Sequence, residues 1–280
     1  MAAGDIYQIT GGLDGRKAVA FLGGATDDGV QIDTFAAGRV AANDTKGTFT
    51  AWINPADNTG TYAFIGCGDE SAVQYFYAAV IAGEITIKSA MTGPNVAFDM
   101  VTVGADVKAH EWTHIAIVQD AVKPKIYING VEFSLRKGTL TETDVTEPTY
   151  WFDTWALIDG GHIGCADSIA GGGALTLEFK GAIGAVKYWD TNLSDTQVND
   201  DYVNANYTTN LIAHWDMNNG YVNVANAGTY DGTAVGDIIL YNGYSEFDSR
   251  LRYNATPLVA DDISFTASNG TGYAIVVKAA

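Results

Sequence analysis

Three groups of side chains in this sequence have types and spacings that suit chemistry. In PTYWFDTWALIDGG, Tyr150, Trp151, Phe152 and Trp155 fall within six positions. Read as a strand, Trp151, Asp153 and Trp155 share one face. Flat rings beside a carboxylate suit a sugar, with rings to stack on and an oxygen for its hydroxyls. The competing reading packs both faces between sheet and loop. A second group is Glu142, Asp144 and Glu147 in TETDVTEP. Glycoside hydrolysis needs two carboxylates flanking the scissile bond. Here Thr143, Val145 and Thr146 intervene and Pro148 follows, which reads as a solvated acidic loop rather than a cleft. A third group is Asp27 and Asp28 in GGATDDG with Asp69 and Glu70 in CGDE. Calcium takes oxygen ligands from several loops, so these four are the candidate cation ligands. Solvated turn carboxylates are the plainer alternative.

Other chemistries find no footing. His110, His114, His162 and His214 have no metal-binding spacing such as HExxH. His114 and His162 sit in strand-like runs and are expected as hydrogen-bonded structural histidines. There is no GxSxG, P-loop or GxGxxG. The chain carries 33 acids against 15 bases, a net charge of −18. Such a surface repels phosphate backbones, so nucleic acid is not an expected partner. No run approaches ~20 apolar residues, so no membrane span is expected. The opening MAAGDIYQITGGLDGRK lacks the basic and apolar regions of a secretory signal. The two cysteines, Cys67 and Cys165, both follow Ile-Gly and read as a bridge or as two buried thiols.

The elements that must position these groups are strands. Of 280 residues, 47% are hydrophobic and only 17% charged, which excludes a disordered acidic chain. Period-two alternation recurs every eight to twelve residues with turn chemistry between. VQYFYAAVI and EITIKS flank Ala82-Gly83 as a hairpin, and Asn129-Gly130 sits between two alternating runs. In EWTHIAIVQD, Trp112, His114, Ala116 and Val118 take one face, and Ile115 and Ile117 the other. This pattern predicts an all-β, antiparallel two-sheet jelly-roll sandwich over residues 17–240. One short helix is expected, near residues 195–204. Ser194 and Gln197 form its capping box, and Leu193 and Val198 its hydrophobic staple. Residues 1–16 read as an N-terminal arm. Residues 241–280 read as a C-terminal β-hairpin extension turning at Asn269-Gly270. Arg250, Arg252, Phe265 and Tyr273 in that extension are the candidate assembly residues.

The runs EWTHIAIV, KIYINGVEF, GHIG and LEFKGAIGAVKYWDTNLSDTQV, in that order, resemble the laminin G-like jelly-roll domain of the concanavalin A-like lectin/glucanase superfamily. AVAFLGGATDDGVQID and TFTAWINP are similar to its first two strands, and the match covers about residues 17 to 237. Gly184 stands where the family usually carries Asp, and Asn129 where Asp is common. The resemblance implies a β-sandwich and, very often, recognition at a surface, without implying one ligand. The superfamily's glucanases carry two glutamates and an aspartate as E-x-D-x-E or E-x-D-x-x-E, a spacing that Glu142, Asp144 and Glu147 share.

The functional expectation combines a surface-recognition domain, no secretion signal and two docking-like ends. It is a non-enzymatic virion surface protein, a phage capsid decoration or a tail or fibre component, with a lectin-like domain for glycan attachment. Its expected partners are other virion proteins or copies of itself and a cell-surface glycan, with calcium as the candidate cofactor. The alternative is a bacterial glycan-binding lectin, secreted or at the cell surface. A glycoside hydrolase using Glu142 ranks last.

Overall fold

Alternating strands become two stacked sheets because each strand has one apolar face to bury. The structure is a computed structural model. It describes residues 18–21, 27–71, 73–90, 96–138, 149–167, 173–204, 207–218, 220–236 and 238–241. The expected terminal arm, C-terminal hairpin, assembly residues Arg250, Arg252, Phe265 and Tyr273, and acidic trio Glu142, Asp144 and Glu147 lie outside these residues.

The first sheet runs in the order β10 (Val131–Phe133), β9 (Pro124–Ile128), β8 (Thr113–Gln119), β3 (Gly47–Pro55), β15 (Gly181–Trp189), β1 (Ala18–Phe21) and β18 (Ile238–Tyr241). β16 (Leu211–Trp215) also pairs with β15, beyond the stretch that β1 occupies. The second sheet runs in the order β11 (Leu135–Lys137), β7 (Val96–Thr102), β6 (Glu84–Ala90), β5 (Tyr75–Ile81), β4 (Thr61–Gly68), β12 (Gly160–Ile163), β2 (Gly29–Gln31) and β17 (Thr233–Val235). A small ribbon, β13 (Ala166–Asp167) with β14 (Leu175–Thr176), stands apart from both. Both large sheets are antiparallel throughout.

Phe49, Ile53, Ile115, Ile117 and Ile183 from the first sheet bury against Phe64, Phe76, Val80, Ile87 and Phe98 from the second. The turns are those the dipeptides predict. Asn129 and Gly130 adopt φ of 49° and 78°, and Ala82 and Gly83 adopt 50° and 81°, the left-handed pairs of two-residue hairpins. Gly184 lies in a bulge of β15, where the pairing with β3 shifts between Ile183 and Val186.

Helix α2 (Asp195–Asn204) forms as expected. The Ser194 amide donates to Gln197 Oε1 at 2.8 Å, and the Gln197 amide donates to Ser194 Oγ at 3.4 Å. Leu193 and Val198 bury together against Val118, Tyr127 and Trp189. The expectation of one helix is incomplete. A second, α1 (Asp33–Ala42), has the same ten-residue length. Its N-cap is Ile32, which makes no side-chain cap, so the usual start signal is missing. What holds it is Phe35, fully buried with its ring edge-on to Tyr188 at 5.0 Å and Trp215 at 5.2 Å. Among the described residues no helix is long and apolar enough to cross a membrane.

Candidate functional site

The outer face of the second sheet carries an unusual row. Strand register places Asp99, Lys88, Tyr77, Gly66, His162 and Gln31 opposite one another in succession across β7, β6, β5, β4, β12 and β2. In β5 the sequence YFYAAVI sends Phe76, Ala78 and Val80 into the main core. Period two therefore turns Tyr75, Tyr77 and Ala79 outward, where they pack with Ala63, Ala90 and Ala166. The two tyrosine rings stack at 5.9 Å and 16°. Beside them Lys88 Nζ lies 3.8 Å from Asp99 Oδ2. Asp99 is nearly enclosed, whereas the lysine side chain keeps about a fifth of its surface open (22% against 4%).

Burial pushes the Tyr77 hydroxyl well above the ordinary phenol range, and neighbouring Tyr75 and Asp99 push it further. Burial and then Asp99 raise Tyr75 likewise. Both phenols are thus neutral hydroxyls able to donate and accept, and neither makes a hydrogen bond to another described residue. Both rings are buried, Tyr75 6% and Tyr77 7% exposed, so their hydroxyls, with the adjoining charged pair, are the groups that can recognise a polyol.

Residues 165–167 lie over the middle of the row. A Cβ on Gly66 would stand 2.6 Å from the Cys165 carbonyl oxygen and 2.7 Å from the Ala166 Cα. The row is thereby divided into a tyrosine–lysine half and a covered half around His162. On the covered half His162 Nδ1 is 3.1 Å from Asp167 Oδ2, so this histidine has a hydrogen-bond partner as expected.

The expected sugar-stacking pair is not there. Trp151 and Trp155 are both fully buried, in the main core. Residues 151–155 form a helical turn rather than a strand, with the Trp155 amide bonded to the Trp151 carbonyl at 3.2 Å. Positions four apart on such a turn point the same way, here inward onto Phe76 and Phe152. The indole nitrogen of Trp151 donates to Tyr188 Oη at 3.1 Å. Asp153 is half-buried and accepts from its neighbour Thr154, so it stays inside its own turn.

The four expected cation ligands do not converge either. β12 pairs with β4 along its whole length, its Gly160 end meeting Gly68, and with β2 at its Ile163 end. Asp69 and Glu70 leave β4 at the first end, and Asp27 and Asp28 enter β2 at the other. Four residues of strand separate them, roughly 10 Å or more. Asp69 accepts from the Ser71 amide and hydroxyl at 2.7 and 2.8 Å, and the Glu70 amide donates to Asp159. Among the described residues the group that falls within ligand reach is Asp33, His162 and Asp167.

A second polar cluster lies under α2. Lys187 Nζ donates to Asp201 Oδ1 at 2.5 Å, Thr50 Oγ1 donates to Asp201 Oδ2 at 2.9 Å, and His114 Nε2 is 3.1 Å from the same oxygen. Lysine, aspartate and histidine can be a catalytic set, but all three are sealed beneath the helix (0–3% exposed). They fasten α2 to the first sheet. Cys67 and Cys165 are both free and buried, and burial raises both thiols far above the ordinary range, which makes them inert.

The face row escapes a reading by motif. Its signal is a charge standing alone inside an apolar strand, as Lys88 does in EITIKSA and Asp99 in VAFDMVT, beside Y-x-Y in YFYAAVI.

The family model of the concanavalin A-like lectin/glucanases superfamily matches residues 23–199. The chain belongs to that superfamily. Solved structures agree on the fold. The CBM40 domain of the Ruminococcus gnavus IT-sialidase superposes with a TM-score of 0.51 at 12% identity, covering 67% of this chain and 97% of that one. The same domain bound to alpha2,3 sialyllactose gives 0.51 at 13%, covering 68% and 98%. The native heptameric SAP-like pentraxin from Limulus polyphemus gives 0.50 at 12%, covering 84% and 99%. No curated protein sequence matches the chain. This superfamily member therefore has a concanavalin A-like, lectin-like fold.

Proposed function

We propose that this member of the superfamily is a non-enzymatic carbohydrate-binding protein that receives glycan on the outer face of its second sheet. The observation that carries the reading is the row Tyr77–Lys88–Asp99 with stacked Tyr75 beside it. Hydroxyls of a sugar exchange hydrogen bonds with the two phenols, and the Lys88–Asp99 pair supplies a charge-assisted donor and acceptor. The fold of a sialidase's carbohydrate-binding domain supports the class of ligand. This takes the lectin alternative over the virion surface role suggested by sequence context, because the family and the sialidase domain speak for glycan and neither speaks for a virion.

A glycan array probed with the full chain tests the proposal. Saturable binding to a defined glycan set, with the bound oligosaccharides recovered intact after prolonged incubation, is the expected result. No binding, or cleavage of the bound sugar, would overturn it.

A further inference from the structure

The covered half of the row has a chemistry of its own, independent of the glycan reading. Asp33, His162 and Asp167 offer one ligand atom each, all within 4.8 Å of one another. His162 and Asp167 are buried and Asp33 is half-buried. His162 Nδ1 and Asp167 Oδ2 stand 3.1 Å apart. Two donors about 2.0–2.2 Å from one metal, at tetrahedral to octahedral angles, stand roughly 2.8–3.6 Å apart. The spacing that serves a hydrogen bond here also serves two ligands of one ion. Asp33 needs only a side-chain adjustment on the order of 1 Å to complete the set.

The surroundings are built around these three groups. Gly161 donates its amide to Asp33 Oδ1 at 2.9 Å, and Gln31 Nε2 donates to Oδ2 at 2.5 Å. Hydrogen bonds from outside the set are what orient a ligating carboxylate. Three strand glycines clear the floor. A Cβ on Gly160 would stand 2.4 Å from Asp167 Oδ2, one on Gly29 3.2 Å from the His162 ring and one on Gly66 3.0 Å from the Asp167 amide. Glycine inside a strand is unfavourable unless something must come close to the backbone. Here each of three adjacent strands omits a side chain, and what comes close is Asp167 and its carrier segment. The charges point the same way. Two carboxylates around one imidazole keep a net negative charge whether or not the ring is protonated.

We propose that Asp33, His162 and Asp167 form a binding site for a borderline divalent metal ion of the zinc class. One imidazole nitrogen and two carboxylate oxygens make a three-ligand set, with a fourth position for water. Calcium is disfavoured, since it wants six to eight oxygens. The ion ties helix α1, through Asp33, and residues 165–167 to β12, pinning the segment that divides the row. His162 is then a metal ligand, beyond the structural role its hydrogen bond gives it.

The test is calorimetric titration of the chelator-treated full chain with zinc chloride, repeated with calcium chloride. The expected result is saturable uptake of one zinc per chain, a higher melting temperature with zinc, and no comparable effect of calcium. Asp33→Asn and Asp167→Asn should each weaken zinc binding at least tenfold. Cobalt loaded in place of zinc should show visible absorption in the wild type that Asp33→Asn diminishes. Asp33 is partly exposed, so its variant keeps the fold, which circular dichroism verifies. Absence of saturable zinc uptake by the wild type, or uptake undiminished in Asp33→Asn, would overturn the proposal.

Discussion

The His114 ring meets the Asp201 carboxylate at 3.1 Å and so joins strand β8 to helix α2 across 87 positions of sequence. The same carboxylate also takes Thr50 and Lys187, so three strands and a helix share one buried anion. Burial alone would raise the pKa of Asp201. The His114 hydrogen bond and the Lys187 charge outweigh it and hold the carboxyl well below the usual range. A carboxyl whose pKa is lower folded than unfolded stabilises the fold above the unfolded value of about 4, and loses that contribution as pH falls from there. Removing one partner of such a pair costs about 3–5 kcal/mol. Asp201→Asn should therefore lower stability by that order at pH 7. Its melting temperature should also fall less steeply than the wild type's between about pH 4 and pH 2.5, as differential scanning calorimetry would show.

Trp155 is an interior side chain, and its loss should be felt as stability. Trp155→Ala leaves a large cavity against Phe76 and Phe152, worth about 3–5 kcal/mol. Urea unfolding should show that loss. If glycan affinity fell with stability unchanged, the ring would be at the sugar after all.

Gly66 is a clearance position. A methyl group there meets backbone atoms of Cys165 and Ala166 rather than a flexible side chain. Gly66→Ala must lift residues 165–167 off the sheet, with a cost of about 1–3 kcal/mol. Amide exchange should accelerate at residues 165–167 before it does elsewhere in β4.

Ser194 closes the reciprocal cap of α2. Ser194→Ala should cost about 0.5–2 kcal/mol and leave the sheets intact. The check is thermal unfolding with near-ultraviolet dichroism, which should keep its native form below the transition.

The fold was legible wherever local chemistry and period agree. Asn129-Gly130 and the Ser194–Gln197 box each prescribe one backbone geometry, and both geometries are present. Helix α1 was not legible, because its start has no capping side chain and its stability comes from Phe35 meeting residues more than a hundred positions away. The tryptophan segment misled for a related reason. Trp151 and Trp155 share a side on a strand and on a helical turn alike, so spacing cannot tell an outward face from an inward one. The four candidate cation ligands lie in two short loops whose separation is set by which end of β12 each loop adjoins. That is a matter of topology. The face row depends on register across six strands, and only its lone charges, Lys88 and Asp99, are marked in the sequence.

The outer-face assignment is tested most directly by comparing glycan affinity of the wild type with that of Lys88→Met and Tyr77→Phe, using the best array ligand in solution. Both substitutions nearly keep side-chain volume; the first removes the ammonium that faces Asp99 and the second one phenol hydroxyl. Affinity reduced at least tenfold in each, with melting temperatures within a few degrees of the wild type, is the result the account predicts. Wild-type affinity in both variants would contradict it and place the sugar elsewhere.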